Sequence, residues 1–182
     1  EDFNKLNKAF VDKTEFINVI DKLDSPYPVL LRPRRFGKTT FVQMLLCFYD
    51  ISFKDKYDEI FKGTKILEMN LPSHNSYHVI KFDFSGISGT NVESLITNFN
   101  QKVSVGINDF LIRYPDFEFS NDYTGRDPAN FIDEFFKTFA RYSKSKSLYI
   151  LIDEYDNFAN DVLSNDRDLF KTITQSNGFL KD

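Results

Sequence analysis

Between the apolar runs 28–31 and 41–48 lies Arg32-Pro33-Arg34-Arg35-Phe36-Gly37-Lys38-Thr39-Thr40. The order reads as strand, tight loop, helix, with Gly37, Lys38 and Thr39 at the helix mouth. The first amides of a helix have no intrahelical partner and point out along its axis, so they attract an anion. Lys38 is spaced to reach outer phosphates, and Thr39 offers a hydroxyl to a magnesium ion. The expected ligand is a nucleoside triphosphate with Mg2+, contacted by Arg34, Arg35, Phe36, Gly37, Lys38, Thr39 and Thr40. The general pattern, Gly-x-x-x-x-Gly-Lys-Ser/Thr, would place glycine where Arg32 stands. Pro33 also removes one backbone donor and fixes φ, so the entry to the loop must be shaped differently.

A second signal comes at 147–152, the apolar run Ser147-Leu148-Tyr149-Ile150-Leu151-Ile152, which ends in Asp153-Glu154. A run of this length bounded by charge reads as a buried parallel strand. Ligands bind at the carboxyl ends of such strands in open α/β sheets. Asp153 is a hard oxygen ligand suited to magnesium, directly or through water. Glu154 is placed to act as general base toward an attacking water. Asp133 and Glu134 imitate this pair, but Phe131, Phe135 and Phe139 repeat at helical spacing after Asp127-Pro128. Those carboxylates are expected on a solvated helix face.

Along the rest of the chain, Asp12 three residues before Glu15 reads as a capping-box start for a helix through residue 21. Residues 51–71 read as short helices or loop, 77–84 as a second strand, and 92–114 as a long amphipathic helix. A polar loop, read as an insertion, is expected over 115–127, and a further helix over 128–142. Strands alternating with helices imply right-handed crossovers and a mainly parallel sheet. The fold class expected is therefore α/β, a three-layer P-loop NTPase-type sandwich. Such a sheet needs another strand or two after residue 152, and 166–174 reads as the helix leading there. The sequence begins at Glu1 and ends soon after the acidic strand, which suggests a piece of a longer polypeptide truncated at its C-terminus.

The net charge of −4 argues against a chain-wide nucleic-acid footprint, which would be basic. No apolar run approaches the roughly 18 residues needed to span a bilayer. The single cysteine, Cys47, cannot form an internal disulfide and lies in an apolar helix, so it reads as core. A cytoplasmic setting is the expectation. Twenty-one phenylalanines without a tryptophan read mostly as core filling. His74 and His78 lack the Cys/His spacing of a zinc site.

Three ordered motifs carry a resemblance: Phe10-Val11-Asp12-Lys13-Thr14, Arg32-Pro33-Arg34-Arg35-Phe36-Gly37-Lys38-Thr39 and Ile152-Asp153-Glu154-Tyr155-Asp156. Together they resemble the bacterial AAA-ATPase-like domain family, similar to archaeal-type and signalling P-loop ATPases; the resemblance covers nearly the whole chain, and 1–182 is expected to be one nucleotide-binding domain. Arg32 in place of glycine is usual in that family. The resemblance implies Lys38 and Thr39 as phosphate and magnesium contacts, Asp153 as the metal carboxylate, Glu154 as the hydrolytic base and ATP as the nucleotide. Many relatives carry a PD-(D/E)XK nuclease-like domain after this part, so a nuclease role is implied only for a parent protein.

Several residues keep two readings. Arg34 and Arg35 either pair with phosphate oxygens or brace the loop against Asp83, Asp153 or Asp156. Asp83 either joins the outer shell of the metal or pairs locally. Asp156 either supports a water or caps the next helix. Asp12-Lys13-Thr14 either borders the adenine or caps a helix. The functional readings are a magnesium-dependent ATPase acting as a motor or regulatory module, a nucleotide-dependent switch, or a non-hydrolysing scaffold. The last two imply a protein partner or self-association.

Overall fold

In the computed structural model, which describes residues 11–25, 27–31, 36–88, 91–143 and 147–155, helices and strands follow the hydropathy pattern. Their order is α1 (Glu15–Asp21), α2 (Lys38–Tyr49), a 3-10 turn (Ile51–Lys56), α3 (Tyr57–Ile60), α4 (Lys65–Met69), β1 (His78–Asp83), α5 (Val92–Arg113), α6 (Pro128–Tyr142) and β2 (Leu148–Asp153). The result is a mixed α/β chain with a small parallel sheet of two strands. It divides into two compact units, residues 1–79 with 146–149 and residues 80–145 with 150–182. The His78 N–H donates to the Ser147 carbonyl at 3.2 Å, and the Phe84 N–H donates to the Asp153 carbonyl at 3.1 Å. Equal advance along both strands makes the pair parallel.

In the first unit α2 is the central element. A helix apolar on nearly every side must be buried, and Phe41, Val42, Met44, Leu45, Leu46, Cys47, Phe48 and Tyr49 all are. The Phe48 ring meets Tyr49, Tyr57, Phe61 and His74 at centroid distances of 4.9, 6.0, 6.1 and 6.5 Å. Tyr49 stacks on Tyr149 at 4.4 Å, which seats the start of β2 on the end of α2. Cys47 is buried, as core packing predicts.

The C-terminal end of a helix leaves four carbonyls without intrahelical donors. Here all four have partners: Leu46 O accepts from Asp50 N, Cys47 O from Asn75 Nδ2, Phe48 O from Asn75 N and Tyr49 O from Tyr77 N. The Ile51 N–H then donates to the Tyr77 carbonyl at 2.9 Å. The end of α2 is thereby tied to the lead-in of β1.

The second unit is built on α5, α6 and an aromatic layer. Phe110 lies 5.4 to 5.9 Å from Phe135, Phe117 and Phe139, edge-on to each, the geometry aromatic quadrupoles favour. α5 starts with a capping box between Asn91 and Ser94, and α6 starts with Asp127 capping the Asn130 N–H. Gly106 of α5 lies against β1: a Cβ there would stand 2.6 Å from the Lys81 carbonyl and from Phe82 Cδ1.

Four sequence expectations change. The run 28–31 forms no strand; Val29 and Leu31 are 66% and 79% exposed. Among the described residues it has no ladder partner, and its side chains stay in water. β2 is not buried on both faces, because Leu151 and Asp153 are buried while Ile150 and Ile152 are about half exposed. Alternation is what a strand covered on one face shows. Loop 115–127 is irregular as expected, yet its Phe117 is only 3% exposed and enters the aromatic layer. Finally, the N-cap of α1 is Thr14 rather than Asp12, and it makes no side-chain cap; both side chains bind the first amides of α4 instead. The expected helix at 166–174 lies outside the described residues.

Candidate functional site

Gly37 forms the N-cap of α2 with φ 75° and ψ 27°. That left-handed conformation costs glycine nothing and costs other residues about 1–2 kcal/mol. It turns the chain sharply into the helix, and the Phe41 N–H closes the first turn onto the Gly37 carbonyl at 2.9 Å. Gly37 has no side chain with which to cap this end of α2. Lys38, Thr39 and Thr40 therefore share one helical turn, with both threonines exposed and Lys38 half-buried. Phe36 is largely exposed just before them. Backbone N–H groups, a hydroxyl and an ammonium on one helix mouth are donor types that suit a phosphate chain. Arg34 and Arg35 lie outside the described residues.

The acidic end of β2 belongs to the second unit. Asp153 is 1% exposed, and its Oδ1 accepts the Glu154 N–H at 3.0 Å. Glu154 has φ 55°, a left-handed backbone on a residue with a Cβ. Outliers of this kind cluster at functional sites. On the neighbouring strand Asp83 Oδ1 accepts the Ser85 N–H at 2.9 Å. Burial pushes the Asp83 carboxyl up. The Ser85 N–H and hydroxyl, with the Lys102 and Lys81 charges, outweigh this and hold it below the usual carboxylate range. Asp83 and Asp153 thus end paired strands at the same side of the sheet. Tyr155 is exposed, and Asp156 lies outside the described residues.

The donor types fit magnesium: a threonine hydroxyl and an aspartate carboxylate are hard oxygen ligands. Among the described residues no group of three or more His, Cys, Asp or Glu side chains is arranged for a metal. The His74 ring instead stacks on Tyr57 at 4.3 Å. Asp133 and Glu134 sit on the exposed face of α6, where they pair with Lys137 and Arg126.

Asp12 and Thr14 turn out to hold helix α4. Asp12 Oδ1 accepts the Thr14 N–H and Oδ2 accepts the Lys65 N–H, each at 2.9 Å. Thr14 Oγ1 accepts the Ile66 N–H at 3.2 Å. Partial burial pushes the Asp12 carboxyl up. The Lys65 and Thr14 amides, the Thr14 hydroxyl and the Lys65 charge more than offset that and lower it. Helix capping is therefore the role seen, though for a helix more than fifty residues away. Sequence reasoning also passed over Asn75, whose only signal was a position in the turn-forming run 72–75.

Among the described residues no helix is long and apolar enough to cross a membrane. A family model described as a predicted AAA-ATPase matches the chain over residues 1–182. No curated protein and no solved structure matches it.

Proposed function

The chain belongs to the AAA-ATPase-like family, and from that premise we propose that residues 1–182 form the ATP-binding domain of a magnesium-dependent ATPase. The domain would act as a motor or regulatory module of a larger cytoplasmic protein and be completed as a three-layer P-loop sandwich. The observation that supports this best is the left-handed Gly37 opening a buried helix whose first exposed turn carries Lys38 and Thr39.

In this reading the amides of 37–40 and Phe36, with Arg34 and Arg35, hold the phosphate chain. Lys38 neutralises the charge that develops on the terminal phosphate as its bond to the leaving oxygen lengthens. Glu154 accepts a hydrogen bond from the attacking water and takes its proton. Thr39 and Asp153 would hold magnesium, which when bound screens the phosphate oxygens. Adenine rather than guanine rests on the family.

Calorimetric titration with ATP and GTP, with and without magnesium, tests the site. Wild type is expected to bind ATP–magnesium, and Lys38→Ala is expected to lose binding. Glu154→Gln should retain ATP while phosphate release stops. Equal affinity of wild type and Lys38→Ala refutes the phosphate site. Unchanged turnover in Glu154→Gln removes the proposed base, and binding without turnover in wild type leaves a nucleotide-dependent switch.

A further inference from the structure

We propose that Asn75 is the positioning residue of the phosphate-loop helix, a clamp on the far end of α2 that sets where its first turn lies. The inference rests on the reading of that first turn as a phosphate site. Asn75 is 5% exposed and has φ 48°, a left-handed backbone. Asparagine tolerates that conformation better than most residues. Its N–H donates to the Phe48 carbonyl at 2.7 Å. Its Nδ2 donates to the Cys47 carbonyl at 3.3 Å and to the Asp50 carbonyl at 2.7 Å. Its Oδ1 lies 3.2 Å from His74 Nδ1. Two carbonyls that can only accept fix the amide orientation, which leaves Oδ1 as the acceptor facing His74 Nδ1.

One residue therefore joins three carbonyls at the end of α2 to the turn that leads into β1. A twelve-residue helix is a rod of about 18 Å, whose main freedoms are sliding along its axis and rotating about it. Three hydrogen bonds from one residue oppose both. The same rod carries Lys38 and Thr39 at its other end, so a slip at Asn75 becomes a displacement at the phosphate cradle. Small displacements of positioned groups are costly in affinity and rate. Asparagine here supplies what neighbouring residue types cannot: the left-handed backbone together with two outward amide hydrogens.

Two variants separate positioning from plain stability. Asn75→Gly keeps the left-handed backbone and deletes the amide. Asn75→Asp keeps the shape and sets an acceptor against the Cys47 and Asp50 carbonyls. Well below each variant's melting temperature, both should bind ATP–magnesium at least about tenfold more weakly than wild type, with the larger loss in Asn75→Asp. Without nucleotide, Asn75→Gly should also speed amide exchange at Phe41, the far end of α2. A variant that melts lower yet binds ATP as wild type does, or speeds exchange only near Tyr77, overturns the clamp. Should neither variant fold, wild type decides. ATP–magnesium must slow exchange at Asn75 and Tyr77 as well as in the first turn, and slowing of the first turn alone sinks the proposal. Loss of binding by wild type, or equal binding by Lys38→Ala, strikes the nucleotide reading instead. Exchange at Phe41 in the nucleotide-free protein still tests the clamp.

Discussion

The first turns of α2 and α4 lie in the same unit, yet they are finished in different ways. At α4 the N–H groups of Lys65 and Ile66 are taken by Asp12 and Thr14, side chains brought from the start of the described chain. At α2 the cap position is a left-handed glycine, which has no side chain of its own to close the turn. The fold can therefore supply a cap from far away in sequence where a helix needs only stability. Gly37 brings no oxygen of its own to the first amides of α2, and in the proposed function a phosphate chain is the ligand that takes them. The far end of α2 reinforces the contrast, since each of its last four carbonyls is bonded within the protein.

The strongest way to break this comparison is Gly37→Ala. A Cβ there would meet nothing within 4 Å among the described residues, so the cost expected is conformational. We expect a loss of about 1–2 kcal/mol in stability, with ATP affinity falling by more than that cost explains. Denaturant titration beside calorimetry measures both. Unchanged ATP affinity would show that the left-handed turn does not shape the site.

Asp12→Ala probes the closed helix. Losing a cap costs about 1 kcal/mol, read as a lower melting temperature, while ATP affinity stays at the wild-type value. The effect should depend on pH with a definite sign. The Asp12 carboxyl titrates below its ordinary value of 3.8 in the folded protein. Its contribution is therefore full above about pH 5 and is lost as pH falls through the folded value. An Asp12→Asn protein should lack this part of the acid sensitivity. A drop in ATP affinity at unchanged pH response would instead return Asp12 to the neighbourhood of the base.

The smallest expected effect belongs to Lys65→Met. The Lys65 ammonium pairs with Glu15 at 2.7 Å, but both side chains are about half exposed. Exposed pairs contribute little, and the backbone N–H that Asp12 binds remains. Thermal unfolding should be indistinguishable from wild type. A clear fall would mean that the ion pair, rather than the carboxylate cap, fastens α1 to α4.

Much of this was legible in the residues. The helices at 38–49, 92–113 and 128–142 follow from apolar periodicity and from Asp127-Pro128 at a helix start. The turn at Gly37 follows from glycine at a loop-to-helix junction. What stayed hidden depends on partners distant in sequence. Asp12 and Glu15 have capping-box spacing, but nothing local says that Asp12 would reach Lys65 instead. The run 28–31 has strand composition, yet a strand exists only with a neighbour to pair with. Phe117 sits in a polar stretch, and only the meeting of α5 and α6 gives it a place inside. The left-handed backbone at Glu154 has no sequence signal, because glutamate seldom adopts it.

At Gly106 the separation of α5 from β1 is set by a missing methyl group. The obstacle is the main-chain oxygen of Lys81 as well as a ring edge of Phe82, and a main-chain atom cannot rotate aside as a flexible side chain can. The helix and strand are thus held at a distance only a hydrogen atom permits. That leaves the aromatic layer on the rest of α5 a fixed frame to pack against, with no slack to absorb a larger residue.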